Sequence, residues 1–160
     1  MAELSELPLT TRLFVRTYRW RTARAVESRP LAKPLSEASV ALISTAAFVG
    51  PGQEPFDDES RGGDFTHRLL AADVDLQTLT ESHRSDAFDH AGIRLDPNLA
   101  LPLETLRELA RERVIGSVSP EAVSLMGSIT APGRLLSTTV PMLVDVLRRQ
   151  KSDCALLVPV

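Results

Sequence analysis

The chain has 160 residues, of which 43% are hydrophobic and 24% charged, the composition of an ordinary globular domain. Its length is sufficient for a hydrophobic core without disulfides, and a single cysteine, Cys154, excludes an internal disulfide. The net charge of −3 gives no indication of a nucleic-acid partner. Because the sequence shows neither a signal-peptide pattern nor a long apolar run, we expect a cytoplasmic protein without a membrane span.

The first predicted element is a helix over residues 8–26, within a basic N-terminal segment of residues 1–30. Arginines are interleaved there with Tyr18 and Trp20. Such a helix either keeps its arginines in solvent or docks on an acidic partner or a membrane surface. The sequence leaves both interpretations open.

Short apolar runs and helical periodicity predict the remaining elements. Strands are predicted at 39–45, 67–72 and 154–160, and helices from Pro102 to 113 and from 138 to 150. The first and last strands are continuous apolar runs, which is typical of strands buried on both faces. A helix that leads directly into such a strand is half of a βαβ unit. The sequence therefore predicts one α/β domain over residues 1–160, with three layers and helices on both faces of a mainly parallel sheet.

Small residues, Ser44 and Thr45, end the first predicted strand and precede a polar loop at 50–64, which we expect to be flexible. Ligands of open α/β sheets bind beyond the carboxyl ends of the strands. We expect the 50–64 loop and the segment from His83 to Asn98 to meet there. A structure that places His83 and His90 far from Val160 would contradict this expectation.

The densest group of chemically versatile side chains also lies in this segment. Histidine and aspartate together can form an acid/base pair or bind a divalent metal, but a polar loop held by Asp-to-backbone hydrogen bonds has the same composition. The candidate catalytic residues are His83, Asp86, Asp89 and His90, and the candidate substrate-binding residues are Ser44, Thr45, Asp96 and Asn98.

Residues 82–120, SHRSDAFDHAGIRLDPNLALPLETLRELARERVIGSVSP, resemble the selenoprotein B family of glycine, sarcosine, betaine and D-proline reductases, especially its short single-domain bacterial members. A His/Asp cluster leads there into a D-x-N segment, a Pro-Leu helix and an Ile-Gly turn. KPLSEASVALISTAAF resembles the first strand of that family, SLMGSI its Met-Gly element, and KSDCALLVPV the strand that precedes its redox motif. The resemblance runs from about residue 33 to Val160.

The resemblance implies a reductase component that cleaves a C–N bond of a small amino-acid-like substrate with a thiol or selenol. In the family the nucleophile is a selenocysteine or cysteine, followed closely by Pro and a second Cys. The sequence ends at Val160, just before that position, and Cys154 falls within the preceding strand. We therefore expect no reductase activity from these 160 residues alone.

Two other functions stay open. The His83–His90 cluster could serve a metal-dependent or acid/base enzyme, with a divalent metal as its only cofactor. Alternatively, the chain is a non-catalytic subunit that docks on a protein partner through its basic N-terminal helix. We also expect a homo-oligomer, because the loop and helix that would follow the last strand are not in the sequence, which leaves apolar surface beside it.

The resemblance makes a prediction about the gene. If selenocysteine follows Val160, codon 161 is UGA, the frame continues into Pro-x-x-Cys, and the transcript carries a selenocysteine insertion hairpin. Thiol-dependent reductase activity should then belong to the extended protein. Sequencing the nucleotides after codon 160 checks this. A UAA or UAG codon, or a continuation without Cys or selenocysteine within five codons, would contradict it.

Overall fold

A computed structural model describes residues 5, 8–18, 25–27, 29–85 and 89–160. Contacts divide the chain into two units, Met1–Pro30 and Leu31–Val160, which we describe separately. No helix in these described ranges is long and apolar enough to cross a membrane. The extent of the domain, predicted as residues 1–160, stays a prediction.

The described helix of the N-terminal unit is α1, Leu9–Thr17. It is shorter than the predicted helix at 8–26, since residues 25–27 are not helical and residues 19–24 lie outside the described part. None of its residues is buried, and its large apolar side chains are exposed at Leu9, Leu13 and Phe14.

The sheet of the larger unit is built around β1, Ser39–Ser44. On one side β1 pairs along its length with the parallel strand β7, Cys154–Val158. On the other side it pairs first with β5, Ser117–Val118, and then with β6, Glu121–Leu125, both parallel to it. The strands predicted at 39–45 and 154–160 are therefore neighbours in one parallel arrangement.

Two further pairings complete the described strands. β3, His67–Ala71, lies antiparallel to β6 at the far side of the sheet. A separate two-stranded sheet joins β2, Phe48–Val49, to β4, Thr80–Glu81. β2 follows β1 closely in sequence, so this small sheet lies just beyond the carboxyl end of β1.

Helices cover both faces of the main sheet, which confirms the predicted α/β fold. α3, Leu103–Arg111, contributes Leu103 and Leu106 to the core formed with Val40 and Leu42 of β1. On the opposite face, Leu143 of α4, Val140–Arg149, packs on Val123 and Leu125. The shorter helical elements are Leu35–Glu37, Leu76–Thr78, α2 at His90–Leu95, Pro97–Leu99 and the π-helix Leu135–Thr139.

The prediction that the last strand is buried on both faces is wrong for this structure. β7 is described as pairing with β1 alone, and Leu156 and Leu157 are 40% and 65% exposed. Beside it lies an apolar cavity of about 310 Å³, lined by residues that include Ile43 and Pro159. The apolar run of β7 indicates burial, but in the structure its side chains form part of an exposed apolar surface.

An oligomer that covers this surface should be weakened by a charge at its centre. We expect Leu157→Lys to shift the protein towards monomer, because burying a lysine ammonium in an apolar interface is costly. Leu99→Lys is the matched control, since Leu99 is equally exposed, at 65%, and lies on another element. Light scattering at tens of micromolar measures the change, and a monomeric unsubstituted protein would contradict the predicted oligomer.

Candidate functional site

The carboxyl ends of β1 and β7 are tied together by Thr45. The register places Ser44 opposite Val158. Just beyond, the N–H of Thr45 donates to the carbonyl of Val158 at 3.1 Å. The Thr45 hydroxyl accepts from the N–H of Val160 at 2.9 Å and lies 3.3 Å from the Val160 carbonyl. The candidate substrate-binding residue Thr45 thus lies at the predicted edge of the sheet.

A left-handed residue, Ala47 with φ 55°, turns the chain from β1 into the small sheet. Its N–H donates to the carbonyl of Leu125 at 2.9 Å, and its own carbonyl accepts from the N–H of Ser82 at 3.0 Å. Ala47 therefore holds the segment that leads to His83 against the end of β6.

His83 is buried, with 7% of its surface exposed, where this segment meets Gly127. A methyl group in place of a Gly127 hydrogen would lie 2.9 Å from His83 Nε2. It would also lie 2.8 Å from the carbonyl of Val160 and 2.9 Å from that of Thr45. The imidazole and the carboxyl ends of β1 and β7 therefore converge on one glycine, as expected of His83.

Glu81 is the buried acid of this site, with only 4% of its side chain exposed. One carboxylate oxygen accepts from the main-chain N–H of His83. The other lies 2.8 Å from Nδ1 of His90 and 4.0 Å from Nη2 of Arg94. A single carboxylate thereby links the two histidines.

The main chain of Ser85 makes a second link between the rings. Its N–H donates to Nδ1 of His83 at 3.2 Å, and its carbonyl lies 3.2 Å from Nε2 of His90. The structure therefore brings His83 and His90 together, through Glu81 and the Ser85 main chain.

Local interactions shift the pKa values of the two histidines in opposite directions. The hydrogen bond to Glu81 raises the pKa of His90 above its ordinary value, although burial and Arg94 oppose the shift. Burial lowers the pKa of His83, and the charges of His90 and Arg84 act in the same direction against that of Glu81. Near pH 6.5 His90 is therefore mainly protonated and His83 mainly neutral.

The 50–64 loop meets the histidine segment, as expected. Nη1 of Arg84 donates to the carbonyls of Ser60, at 2.9 Å, and Asp58, at 3.3 Å. The loop also reaches the segment after Gly127, because the N–H of Ala131 donates to the carbonyl of Gly62 at 3.0 Å. Its predicted flexibility stays a prediction.

Asp64 organises the end of this loop. Its carboxylate accepts from the N–H of Asp57 at 2.9 Å and from the N–H and hydroxyl of Thr66, each at 2.7 Å. Burial alone would raise the pKa of Asp64, but these hydrogen bonds and the charge of Arg68 outweigh it and hold the pKa below its ordinary value.

The other candidates hold the backbone. Ser44 is fully buried and donates to the carbonyl of Ala100 at 2.7 Å. Asp89 accepts from Gly92 N–H at the start of α2, and Asp96 caps the turn Pro97–Leu99. The Asn98 amide oxygen accepts from the N–H of Glu104 at 3.1 Å, at the start of α3. Asp86 lies outside the described residues. Their catalytic and substrate-binding roles stay predictions.

The described residues contain no group of three His, Cys, Asp or Glu side chains that could hold a metal ion. The divalent metal predicted at the His/Asp cluster therefore stays a prediction, since Asp86 lies outside these residues.

Glu81 and Gly127 are functional-site residues that no sequence pattern singled out as candidates. Glu81 stands one residue before the predicted cluster, in a strand of two residues that no periodicity indicates. Gly127 belongs to the Met-Gly element quoted above, which was the only signal for it.

Comparison with known proteins gives one family. The family model described as glycine/sarcosine/betaine reductase selenoprotein B matches residues 7–157. No solved structure gives a significant match.

Three curated relatives show what the chain is similar to. It is 26% identical to D-proline reductase subunit gamma of Acetoanaerobium sticklandii, over 80% of this chain and 51% of the relative. It is 31% identical to the sarcosine reductase complex component B subunit beta of Peptoclostridium acidaminophilum, over 68% of this chain and 25% of the relative. It is 27% identical to the glycine reductase complex component B subunit gamma of Symbiobacterium thermophilum, over 66% of this chain and 25% of the relative. The chain thus spans half or a quarter of these relatives.

Gly127 should tolerate no side chain. We expect Gly127→Ala to lower the free energy of unfolding by about 1–3 kcal/mol, because its methyl group would press on two backbone carbonyls and on His83. Gly133→Ala is the matched control, since a methyl group there meets nothing within 4 Å. Urea unfolding measures the difference, and NMR signals of His83 should shift only in the first variant. Equal stability of the two variants would contradict the convergence on Gly127.

Proposed function

Since this chain belongs to the glycine/sarcosine/betaine reductase selenoprotein B family, we propose that it is a cytoplasmic component of a reductase complex. The proposed reaction is the thiol- or selenol-dependent reductive cleavage of a C–N bond in a small amino-acid-like substrate. Support comes from the relatives, which are named as subunits of reductases for D-proline, sarcosine and glycine.

The observation that carries the proposal is the position of His83. The last strand ends beside this buried imidazole, and Thr45 ties the end of that strand to β1. A redox residue placed directly after Val160, as the resemblance implies, would emerge next to His83. A buried imidazole at that point could assist the reaction, whereas an edge of a sheet with only a structural role has no need of one.

The chemistry calls for such a group. When sulfur or selenium attacks carbon and the C–N bond breaks, the bonding electron pair goes to nitrogen, which must then accept a proton or a strong hydrogen bond. His83 is the residue placed to supply it, and His90 with Glu81 forms the charged pair behind it. The redox residue itself would supply the electrons.

A docking role for the N-terminal segment is a second candidate, compatible with the first. α1 buries none of its residues and presents Leu13 and Phe14 to solvent next to Arg16. An exposed apolar stripe with basic neighbours suits an acidic partner surface with an apolar floor. Within a reductase complex, α1 would then hold this component to another subunit.

The proposal is tested with the protein expressed in full from its gene and purified with its partners. Dithiol oxidation in the presence of glycine, sarcosine, betaine or D-proline measures the activity. We expect His83→Ala to lower the rate about 10²–10⁴-fold, the usual contribution of a group that assists proton transfer. His67→Ala is the matched control, since His67 lies on β3 and is not part of the cluster.

Two results would overturn the proposal. One is a complex that oxidises no dithiol with any of the four substrates. The other is a His83→Ala variant that keeps the rate of the His67→Ala control.

A further inference from the structure

We infer that Glu81 is a positioning residue, which acts through His90 and the Ser85 main chain to hold His83 as a neutral imidazole with its proton on Nε2. In that state His83 presents its Nε2–H beside the carboxyl ends of β1 and β7. The inference rests on the proposed function only for what this N–H acts upon.

The state of His90 follows from its partners. Nδ1 faces a Glu81 oxygen at 2.8 Å, and Nε2 faces the carbonyl of Ser85 at 3.2 Å. A carbonyl oxygen accepts and never donates, and an ionised carboxylate does the same. Both ring nitrogens of His90 must therefore carry a proton to make these bonds, so His90 is an imidazolium.

The state of His83 follows in the same way. Its Nδ1 lies 3.2 Å from the N–H of Ser85, which can only donate. Nδ1 therefore offers its lone pair, and the proton of the neutral ring sits on Nε2. That nitrogen lies beside Gly127, on which the carbonyl oxygens of Thr45 and Val160 also converge.

Glu81 makes both states hold together. Its two oxygens bind the His83 main chain and the His90 ring, so one carboxylate holds both residues. Among the residues that the structure describes, the charges that act on the two rings are the carboxylate of Glu81, the cation of His90, and the guanidinium groups of Arg84 and Arg94. The cations disfavour a second proton on His83, while Glu81 supports the proton on His90.

This assignment changes the role of His83. A neutral imidazole that lost its Nε2 proton without gaining one on Nδ1 would become an imidazolate, which is unfavourable near neutral pH. His83 therefore acts as a hydrogen-bond donor to developing negative charge, and the departing nitrogen receives its proton from another source. Neutral histidines act as such electrophiles in other enzymes.

A pH window follows from the directions of the two shifts. His83 is neutral above its lowered pKa, and His90 is charged below its raised pKa. Both conditions hold together around the ordinary histidine value of 6.5, and each fails on one side of it. Activity should then have a maximum near that pH, falling on the acid side with His83 and on the alkaline side with His90.

The test uses NMR of full-length protein with ¹⁵N-labelled histidine. His67→Gln, His83→Gln and His90→Gln assign the signals of the three histidines in these 160 residues. At pH 6.5 we expect His83 to show one protonated nitrogen, Nε2, and His90 to show two. In Glu81→Gln, the pKa of His90 should fall and His83 should lose its single tautomer. Glu112→Gln, at the end of α3, is the matched control and should change neither ring.

The same variants are then assayed in the purified complex. Glu81→Gln should lower the rate about 10²-fold, the effect of a small misplacement of a reacting group, and should abolish the alkaline limb of the pH profile. If this variant does not fold, Glu81→Asp keeps the charge on a shorter side chain and should change both readouts in the same direction.

The NMR and activity outcomes distinguish the state of His83 from the proposed reductase function. A charged His83 at pH 6.5, a proton on its Nδ1, or an unchanged His90 titration in Glu81→Gln would overturn the inference, whatever the activity. The expected NMR states in a complex that oxidises no dithiol would leave the inference standing and overturn the proposed function.

Discussion

The parallel pairing of β1 with β7 is the constraint on which the rest of the structure depends. It fixes Ser44 opposite Val158 and so brings two carboxyl ends to one place. Because β1 also pairs with β6, the end of β6 and its following Gly127 arrive at the same edge. The site is therefore a consequence of register. A one-residue slip would turn every β1 side chain to the other face of the sheet and separate Thr45 from Val160.

The electrostatics of the site depend on the buried carboxylate of Glu81. The side chain of Glu81 is buried and has two hydrogen-bond partners. Because water screens its charge less there than at the surface, its interactions with these partners are stronger. His90, which is partly exposed, takes the positive charge, and the buried His83 does not. Burial and hydrogen bonding thereby give two identical side chains different chemistry. Sequence spacing alone cannot express that difference.

The candidate site was predicted in part. Histidine at positions 83 and 90 was recognised because two titratable rings in a polar segment after a strand are chemically conspicuous. The aspartates were equally conspicuous, yet Asp89 and Asp96 cap helical turns. An aspartate in a polar segment can always bind the nearby backbone in this way instead of taking part in catalysis. Glu81 was overlooked because it resembles any surface glutamate until the pairing of β2 with β4 buries it.

By itself, the sequence determined the α/β class, the helices at α3 and α4 and the strands β1 and β7, because helical periodicity and short apolar runs indicate the type of element that forms locally. It also determined the family, through the run at 82–120 and the match over residues 7–157. Only the tertiary structure decided that β7 is exposed, that β6 lies beside β1, and that Gly127 is where His83 meets the strand ends. Those facts arise from contacts between residues far apart in the chain, and local pattern carries no information about which distant segment becomes a neighbour.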